Sequence, residues 1–323
     1  MFRQNSSDVL LVAEMFCCSY LGHQRDILAP TSLLPKAESN GECKGHRWPW
    51  LLRGVLPAVV KLRPRVNGVE KLISIIVPTY NCGAKLAGTI ESVLAEPTDL
   101  FEILVMDGAS DHETLRTIEK YRDSLTVISE KDRGVYDAMN KGIRHSSGKY
   151  LLFLGAGDRL RQGVLARIST RLPKRDLCFV YGDTYLVRRG EITSGPFSIE
   201  EFKTKNICHQ AIFYERTLFR RLGKYNLKYR ICADWVFNMQ CFADRRVSKI
   251  YLDEVVVDFE GWGISETQTD LAFEADQPEL IERYVNRNDR DTKRALSDVS
   301  AVVVSGVKTL QSQFTSLLRR SKS

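Results

Sequence analysis

From Leu72 onward, short apolar runs alternate with stretches in which apolar residues recur every three or four positions. "LISIIVP" (72–78) is β-branched and stopped by Pro78, as a buried parallel strand would be. Residues 83–94 then place Leu86, Ile90, Val93 and Leu94 on one helical face. The alternation continues with "FEILVMD" (101–107) as strand, 111–122 as helix, "LTVIS" (125–129) as strand, 134–146 as helix and "YLLFLG" (150–155) as strand. Strand and helix in strict alternation predict an α/β domain with a Rossmann-like, mainly parallel sheet flanked by helices.

Beyond residue 160 the rhythm changes. A helix at 160–171 precedes two short β pieces, "CFVYGD" (178–183) and "TYLVRR" (184–189), close enough to pair as a hairpin. "HQAIFYE" (209–215), a helix over 231–243 and "KIYLDEVVVDFE" (249–260) follow, and the chain reads as helical beyond Gly263. Residues 1–70 carry no sustained period and are read as a poorly ordered extension with one short helix near 51–61. The expected organisation is an N-terminal extension (1–70), a catalytic domain (71–263) and a C-terminal helical extension (264–323).

Composition narrows the class. The 323 residues are 43% hydrophobic and 27% charged, with a mild net charge of +7. That suits a globular protein, and without a dense basic stripe it points away from nucleic acid. The 8 cysteines include no C-x-x-C pair, so reduced thiols in a cytoplasmic protein are expected rather than a zinc site or a disulfide framework. No apolar window approaches the roughly 18 residues needed to span a bilayer.

In an open parallel sheet, ligands bind beyond the carboxyl ends of the strands. Here those ends carry Thr79-Tyr80-Asn81, Asp107-Gly108-Ala109-Ser110-Asp111, Glu130-Lys131-Asp132-Arg133 and Gly155-Ala156-Gly157-Asp158. Caps and turns explain any one of these sets, since Asp and Ser cap helices and Gly makes turns. All of them together describe a ligand rim. "PTYNCGAK" after the first strand lacks the glycine fingerprint of a dinucleotide site and the lysine of a P-loop. It also lacks the Gly-rich, Arg- and Lys-bearing loop that a nucleotidyltransferase would need.

"SIIVPTYN", "ILVMDGASD", "SEKDRGVYDAMNKGI", "GKYLLFLGAGD", "CHQAIFYER" and "YRICADWVF" resemble the successive motifs of the family 2 glycosyltransferases. The likeness is to bacterial members that build exopolysaccharide, colanic-acid-like polymers and O-antigen, and it runs from about Leu72 to about Gly263. It implies a glycosyltransferase A-type fold and inverting transfer from a UDP- or GDP-linked sugar to a glycan or lipid-linked acceptor. Pro78, Thr79 and Tyr80 are similar to the segment lining the base, and Asp107 to the aspartate that reads the uracil or ribose edge. Asp132 and Arg133 match the segment that approaches the nucleotide, where Arg133 screens an anion that Asp132 helps to orient. Tyr136 and Asp137, one turn into the next helix, are placed to face the donor sugar.

"GAGD" stands where the family carries its aspartate-rich metal motif. The resemblance therefore implies Mg²⁺ or Mn²⁺ held by Asp158, with Gly155, Ala156 and Gly157 replacing other acids and leaving the coordination thin. Asp234 matches the general base, its plainer alternative being a first-turn acid of its helix. His209 is either a lining residue of the diphosphate or acceptor site or a structural histidine. Trp262 is either an acceptor platform or a core residue. A catalytically silent sugar-nucleotide binder or scaffold is the competing reading, and the presence of Asp234 argues against it. Over 292–320, Leu296, Val299, Val303, Val307, Leu310, Phe314 and Leu317 form one helical stripe followed by Arg319 and Arg320. Such a stripe serves either as a packing helix or as a peripheral contact with the inner leaflet.

Overall fold

The computed structural model describes residues 60–62, 71–97, 99–193, 195–261 and 267–287. The expected tail helix over 292–320, Trp262 and most of the N-terminal extension lie outside the described residues. Elements run in the order β1 (Val60–Leu62), β2 (Ile73–Thr79), α1 (Lys85–Leu94), β3 (Phe101–Asp107), α2 (His112–Lys120), β4 (Thr126–Ser129) and α3 (Val135–His145). They continue with β5 (Tyr150–Phe153), β6 (Arg159–Leu160), α4 (Val164–Ser169), β7 (Cys178–Leu186), β8 (Glu191–Thr193) and β9 (Ile212–Glu215). The last are α5 (Thr217–Leu222), α6 (Ala233–Ala243), β10 (Ser248–Phe259) and α7 (Leu271–Leu280), the last extended by a π-helical stretch over Ile281–Asn286.

The strands form one sheet in the order β1-β4-β3-β2-β5-β9-β7-β10-β6, with β8 on the side of β7. Its first half is parallel: β2 pairs with β3 on one side and β5 on the other, and β3 with β4. Alternate residues go to opposite faces, as the period of a strand requires. Ile73, Ile75, Val77, Ile103 and Val105 pack under α1, α2 and α4, while Ile76, Leu104, Met106 and Ile128 pack under α3 and α6. The second layer is rich in aromatic side chains, among them the stacked pair Phe219–Phe237 at 4.4 Å.

Two expectations need correction. "CFVYGD" and "TYLVRR" are not two strands of a hairpin but one continuous strand, β7, whose hairpin partner is Glu191–Thr193. Gly182 lies inside that strand and answers a close approach. A Cβ there would lie 2.5 Å from the Glu254 carbonyl, where β10 is irregular in its pairing with β7. Residues 60–62, expected within a disordered or helical extension, form β1 and close the edge of β4 in antiparallel register.

Candidate active site

The first cluster gathers the ends of β2, β3 and β4. Backbone bonds tie these ends together: Gly108 N–H to the Thr79 carbonyl (2.8 Å) and Glu130 N–H to the Asp107 carbonyl (2.9 Å). The loops after β2 and β3 interlock through Asn81 N–H to Ser110 Oγ (3.0 Å) and Asp111 N–H to Asn81 Oδ1 (2.8 Å). Asn81 (φ 46°) and Ala109 (φ 64°) sit in the left-handed region. Such a conformation costs an L-residue about 1–2 kcal/mol, which the interlocked loops sustain.

Pro78 belongs here through its missing N–H. It shares the parity of Ile76, whose carbonyl takes the last ladder bond from Leu154, so Pro78 falls where β5 has already diverged. Pro78 and Thr79 are buried beneath the rim, and Thr79 Oγ1 donates to the Val77 carbonyl (3.2 Å). Tyr80 is the side chain that this strand end offers, at 66% exposure. Gly108 has no room for a side chain, because a Cβ would lie 2.6 Å from Asp132 Oδ2 and 3.2 Å from the Tyr80 ring. Tyr80, Gly108 and Asp132 therefore converge from three different loops.

Asp107 is buried, taking hydrogen bonds from the Ser129 hydroxyl and from Ser110 N–H. Asp132 accepts from Gly134 N–H (2.8 Å), and burial pushes its carboxyl above the usual value. Arg133 holds its guanidinium out in solvent, 77% exposed and 3.8 Å from Asp137. Asp137 takes the Arg133 N–H (3.1 Å) and so ties the preceding loop to the first turn of α3. Beneath the loop, Lys141 is almost fully buried, donating to the Lys131 carbonyl (2.6 Å) and pairing with Glu130 (3.1 Å). Sequence reasoning missed Lys141, although its position four residues after Asp137 on one helix face was a usable signal.

The second cluster centres on Asp234, in the first turn of α6 and buried at 6% exposure. Its side chain does not cap α6 but points to residues from distant elements. Tyr136 Oη lies 2.6 Å from Oδ1, while Asn206 Nδ2 (2.9 Å) and His209 Nδ1 (3.3 Å) lie against Oδ2. Tyr136 and His209, expected beside the donor, thus meet at Asp234. The backbone ahead of the helix is pinned as well, with Ile231 N–H (2.8 Å) and Cys232 N–H (3.1 Å) donating to Asp270 Oδ2.

Asp158 is joined to the same frame. Its Oδ2 accepts from Gln210 Nε2 (3.1 Å) and its Oδ1 from Glu260 N–H (3.3 Å). Adjacent residues on one short turn, His209 and Gln210, therefore touch Asp234 and Asp158. Gln210 and Asn206 were also missed. Nothing local marks Asn206, and Gln210 stands inside the "CHQAIFYER" motif without any local sign that it reaches Asp158, since their partners are far away in sequence.

Burial pushes the Asp158 carboxyl up to about 6, against which its two neutral donors and the nearby His209 act only in part. Among the described residues no group of three or more His, Cys, Asp and Glu converges as a metal cage. A single buried carboxylate fits a hard divalent ion that takes its other ligands from a diphosphate and water. A separate cavity of about 460 Å³, lined by Arg161, Gln162, Arg167, Asp183, Asp253, Glu254 and Val255, includes none of these residues.

A parallel sheet with converging strand-end loops, backed by a mixed half that carries two buried aspartates, defines a glycosyltransferase A-type fold. The sequence profile of "Glycosyl transferase family 2" matches residues 74–244, and the chain belongs to that family. It is a glycosyltransferase. Over 210 residues it is 38% identical to the "PGL/p-HBAD biosynthesis glycosyltransferase" of Mycobacterium bovis (strain BCG / Pasteur 1173P2), an alignment covering 62% of this chain and 82% of that one. It is 28% identical over 151 residues to the Escherichia coli "UDP-Glc:alpha-D-GlcNAc-diphosphoundecaprenol beta-1,3-glucosyltransferase WfgD", covering 46% of this chain and 56% of that one. The crystal structure of "S. aureus TarS 1-349 in complex with UDP-GlcNAc" superposes with a TM-score of 0.50 at 19% identity, over 61% of each chain, which speaks to the fold alone.

Proposed function

We propose that the chain transfers a sugar, with inversion, from a UDP- or GDP-linked donor to a glycan or lipid-linked acceptor in the synthesis of a cell-surface glycan or glycolipid. The base and ribose lie against Tyr80, Asp107 and Asp132 above the floor of Pro78 and Thr79. Arg133 and the positive end of α3 face the diphosphate. Asp137 and Lys141 hold that loop in place.

The reaction follows from the second cluster. An acceptor hydroxyl is a poor nucleophile until a base takes its proton. Asp234 receives that proton as the acceptor oxygen bonds to the anomeric carbon, and the bond from that carbon to the diphosphate breaks on the opposite face. One base and one displacement invert the centre. Asp158 would hold Mg²⁺ or Mn²⁺, which when bound neutralises charge on the diphosphate.

One observation carries this reading: His209 and Gln210, neighbours in sequence, contact Asp234 and Asp158. That gives the proposed base and the proposed metal ligand a common frame, as a reaction between donor and acceptor requires. The name of the Escherichia coli relative, which prints UDP-Glc and a diphosphoundecaprenol acceptor, favours UDP as the nucleotide and a diphosphate lipid as the acceptor class. A position at the inner face of the cytoplasmic membrane would suit such an acceptor, and no helix among the described residues is long and apolar enough to cross it. Incubating the full chain with a panel of UDP- and GDP-sugars, with and without Mn²⁺, and measuring nucleoside diphosphate release tests the reading. Metal-stimulated release from one donor is expected. Tight donor binding with no release from any of them would favour the silent alternative.

A further inference from the structure

Tyr136 has more acceptors than protons. Its hydroxyl lies 2.6 Å from Asp234 Oδ1 and also 2.6 Å from the Ile231 carbonyl. A phenol has one proton to donate, so only one of the two is served at a time. The ring itself is fixed, being 5% exposed and packed on Tyr225 at 5.2 Å between centroids. The carbonyl is fixed too, because Asp270 holds the N–H groups of Ile231 and Cys232. Only the O–H bond is free to turn.

The other oxygen of Asp234 is already crowded. Asn206 and His209 both lie against Oδ2, which leaves on Oδ1, beside Tyr136, the lone pair least engaged by protein donors. A carboxylate oxygen that takes up a proton becomes a poorer acceptor, and a buried phenol deprived of its partner is left with an unsatisfied donor. The Ile231 carbonyl satisfies it.

We propose that Tyr136 is a positioning residue with a two-position hydroxyl: it donates to Asp234 while the carboxylate is ionised, and turns to the Ile231 carbonyl when Asp234 takes the acceptor's proton. The inference rests on Asp234 being the base. The transferred proton passes from the acceptor hydroxyl to Asp234, and Tyr136 keeps its own throughout. Burial raises the Tyr136 hydroxyl well above its ordinary value, with the Asp234 charge adding to the effect, so the phenol stays protonated.

The titratable groups facing this carboxylate are Tyr136 from α3, His209 from the turn before β9, Tyr214 from β9, Tyr225 from the loop after α5, and Cys232 at the head of α6. Burial pushes Tyr214 and Tyr225 well up and Cys232 to about 12, so those three hold their charge state at neutral pH. His209→Gln serves as the control that identifies the imidazole's contribution.

The test needs no substrate. In the full chain labelled with ¹³Cγ-aspartate, the Asp234 resonance is assigned by its loss in Asp234→Asn and followed between pH 3 and 8. Tyr136→Phe should move its midpoint upward by about half a unit to one unit, because the ionised form loses a hydrogen bond that the acid does not use. Site-specific 3-fluorotyrosine, a stronger donor of the same shape, should move it downward and covers the case in which the phenylalanine variant folds poorly. Unchanged midpoints in both would mean that the hydroxyl always serves Ile231, and would overturn the proposal. Full turnover in Asp234→Asn would instead refute the base assignment, so the two failures are distinguishable.

Discussion

The two halves of the site hold their carboxylates by different means. On the nucleotide rim most acids are secured close to home, Asp111 by Thr114 N–H, Asp132 by Gly134 N–H and Asp137 by Arg133 N–H, while Asp107 adds to Ser110 N–H the Ser129 hydroxyl, 22 positions away. In the second half, Asp234 is held by residues 98, 28 and 25 positions away, and Asp158 by Gln210 and Glu260, 52 and 102 positions away. A rim built from local caps forms with its strand ends. A pair of acids built from distant partners exists only once the whole sheet has closed. The contrast implies that rim variants weaken donor binding, whereas variants of Asp234 remove turnover with binding intact.

The strongest way to break that contrast is Asp234→Asn. Loss of the base should lower turnover by a factor on the order of 10² or more with donor affinity changed less than about two-fold, read by steady-state kinetics and calorimetry. Equal losses in binding and turnover would erase the distinction.

Asp158 comes next, because its burial has a sign that can be measured. The carboxyl sits near 6 rather than its ordinary 3.8, so the fold favours the protonated form. Stability should therefore fall as pH rises from about 4 to about 6, and the shift sets an upper bound of roughly 3 kcal/mol on that loss. At pH 7 without metal, Asp158→Asn should melt higher than the native chain, and the native chain should regain the difference with Mn²⁺. Metal-stimulated donor turnover should fall as pH drops through about 6, where protons compete for the same oxygen, and EDTA should inactivate the enzyme. A native chain that melts the same with and without Mn²⁺ would argue against this site.

Smaller effects should appear on the rim. Lys141→Met keeps the stem but removes the charge that pairs with Glu130 and pins the Lys131 carbonyl. It should raise the donor KM by about ten-fold with kcat nearly unchanged, since a half-buried Glu130 left without its partner loosens the loop. Arg133→Ala should cost only about three- to ten-fold in donor affinity, and that loss should shrink at high salt because the guanidinium is exposed. A salt-independent loss would mean that Arg133 makes a buried contact with the donor.

This division also explains what could be read from the chain. Strand ends announce themselves: β-branched runs stop at Asp107, Ser129 and Thr79, and their local caps lie within a few residues. The strands β2 to β5 and helices α1 to α3 were legible for the same reason, since burial on one or both faces writes a period into the residues. The split of residues 178–189 into two pieces failed because a long strand with polar residues at its centre looks the same in sequence as two short ones. Tyr136 was expected to face the donor from its place one turn into α3, yet its helix face turns inward to Asp234. Asn206 had no local signal and Gln210 only its place in the "CHQAIFYER" motif, because what makes them matter is a partner brought near by the fold.

The stereochemistry of the product tests the central assignment most directly. ¹H NMR of the glycoside formed by the full chain, or of the sugar first released from the donor in water before mutarotation, reports the configuration at the anomeric carbon. With Asp234 as the lone base of a single displacement, the product should carry the configuration opposite to that of the donor. Retention would require a second nucleophile and would contradict the role given to Asp234.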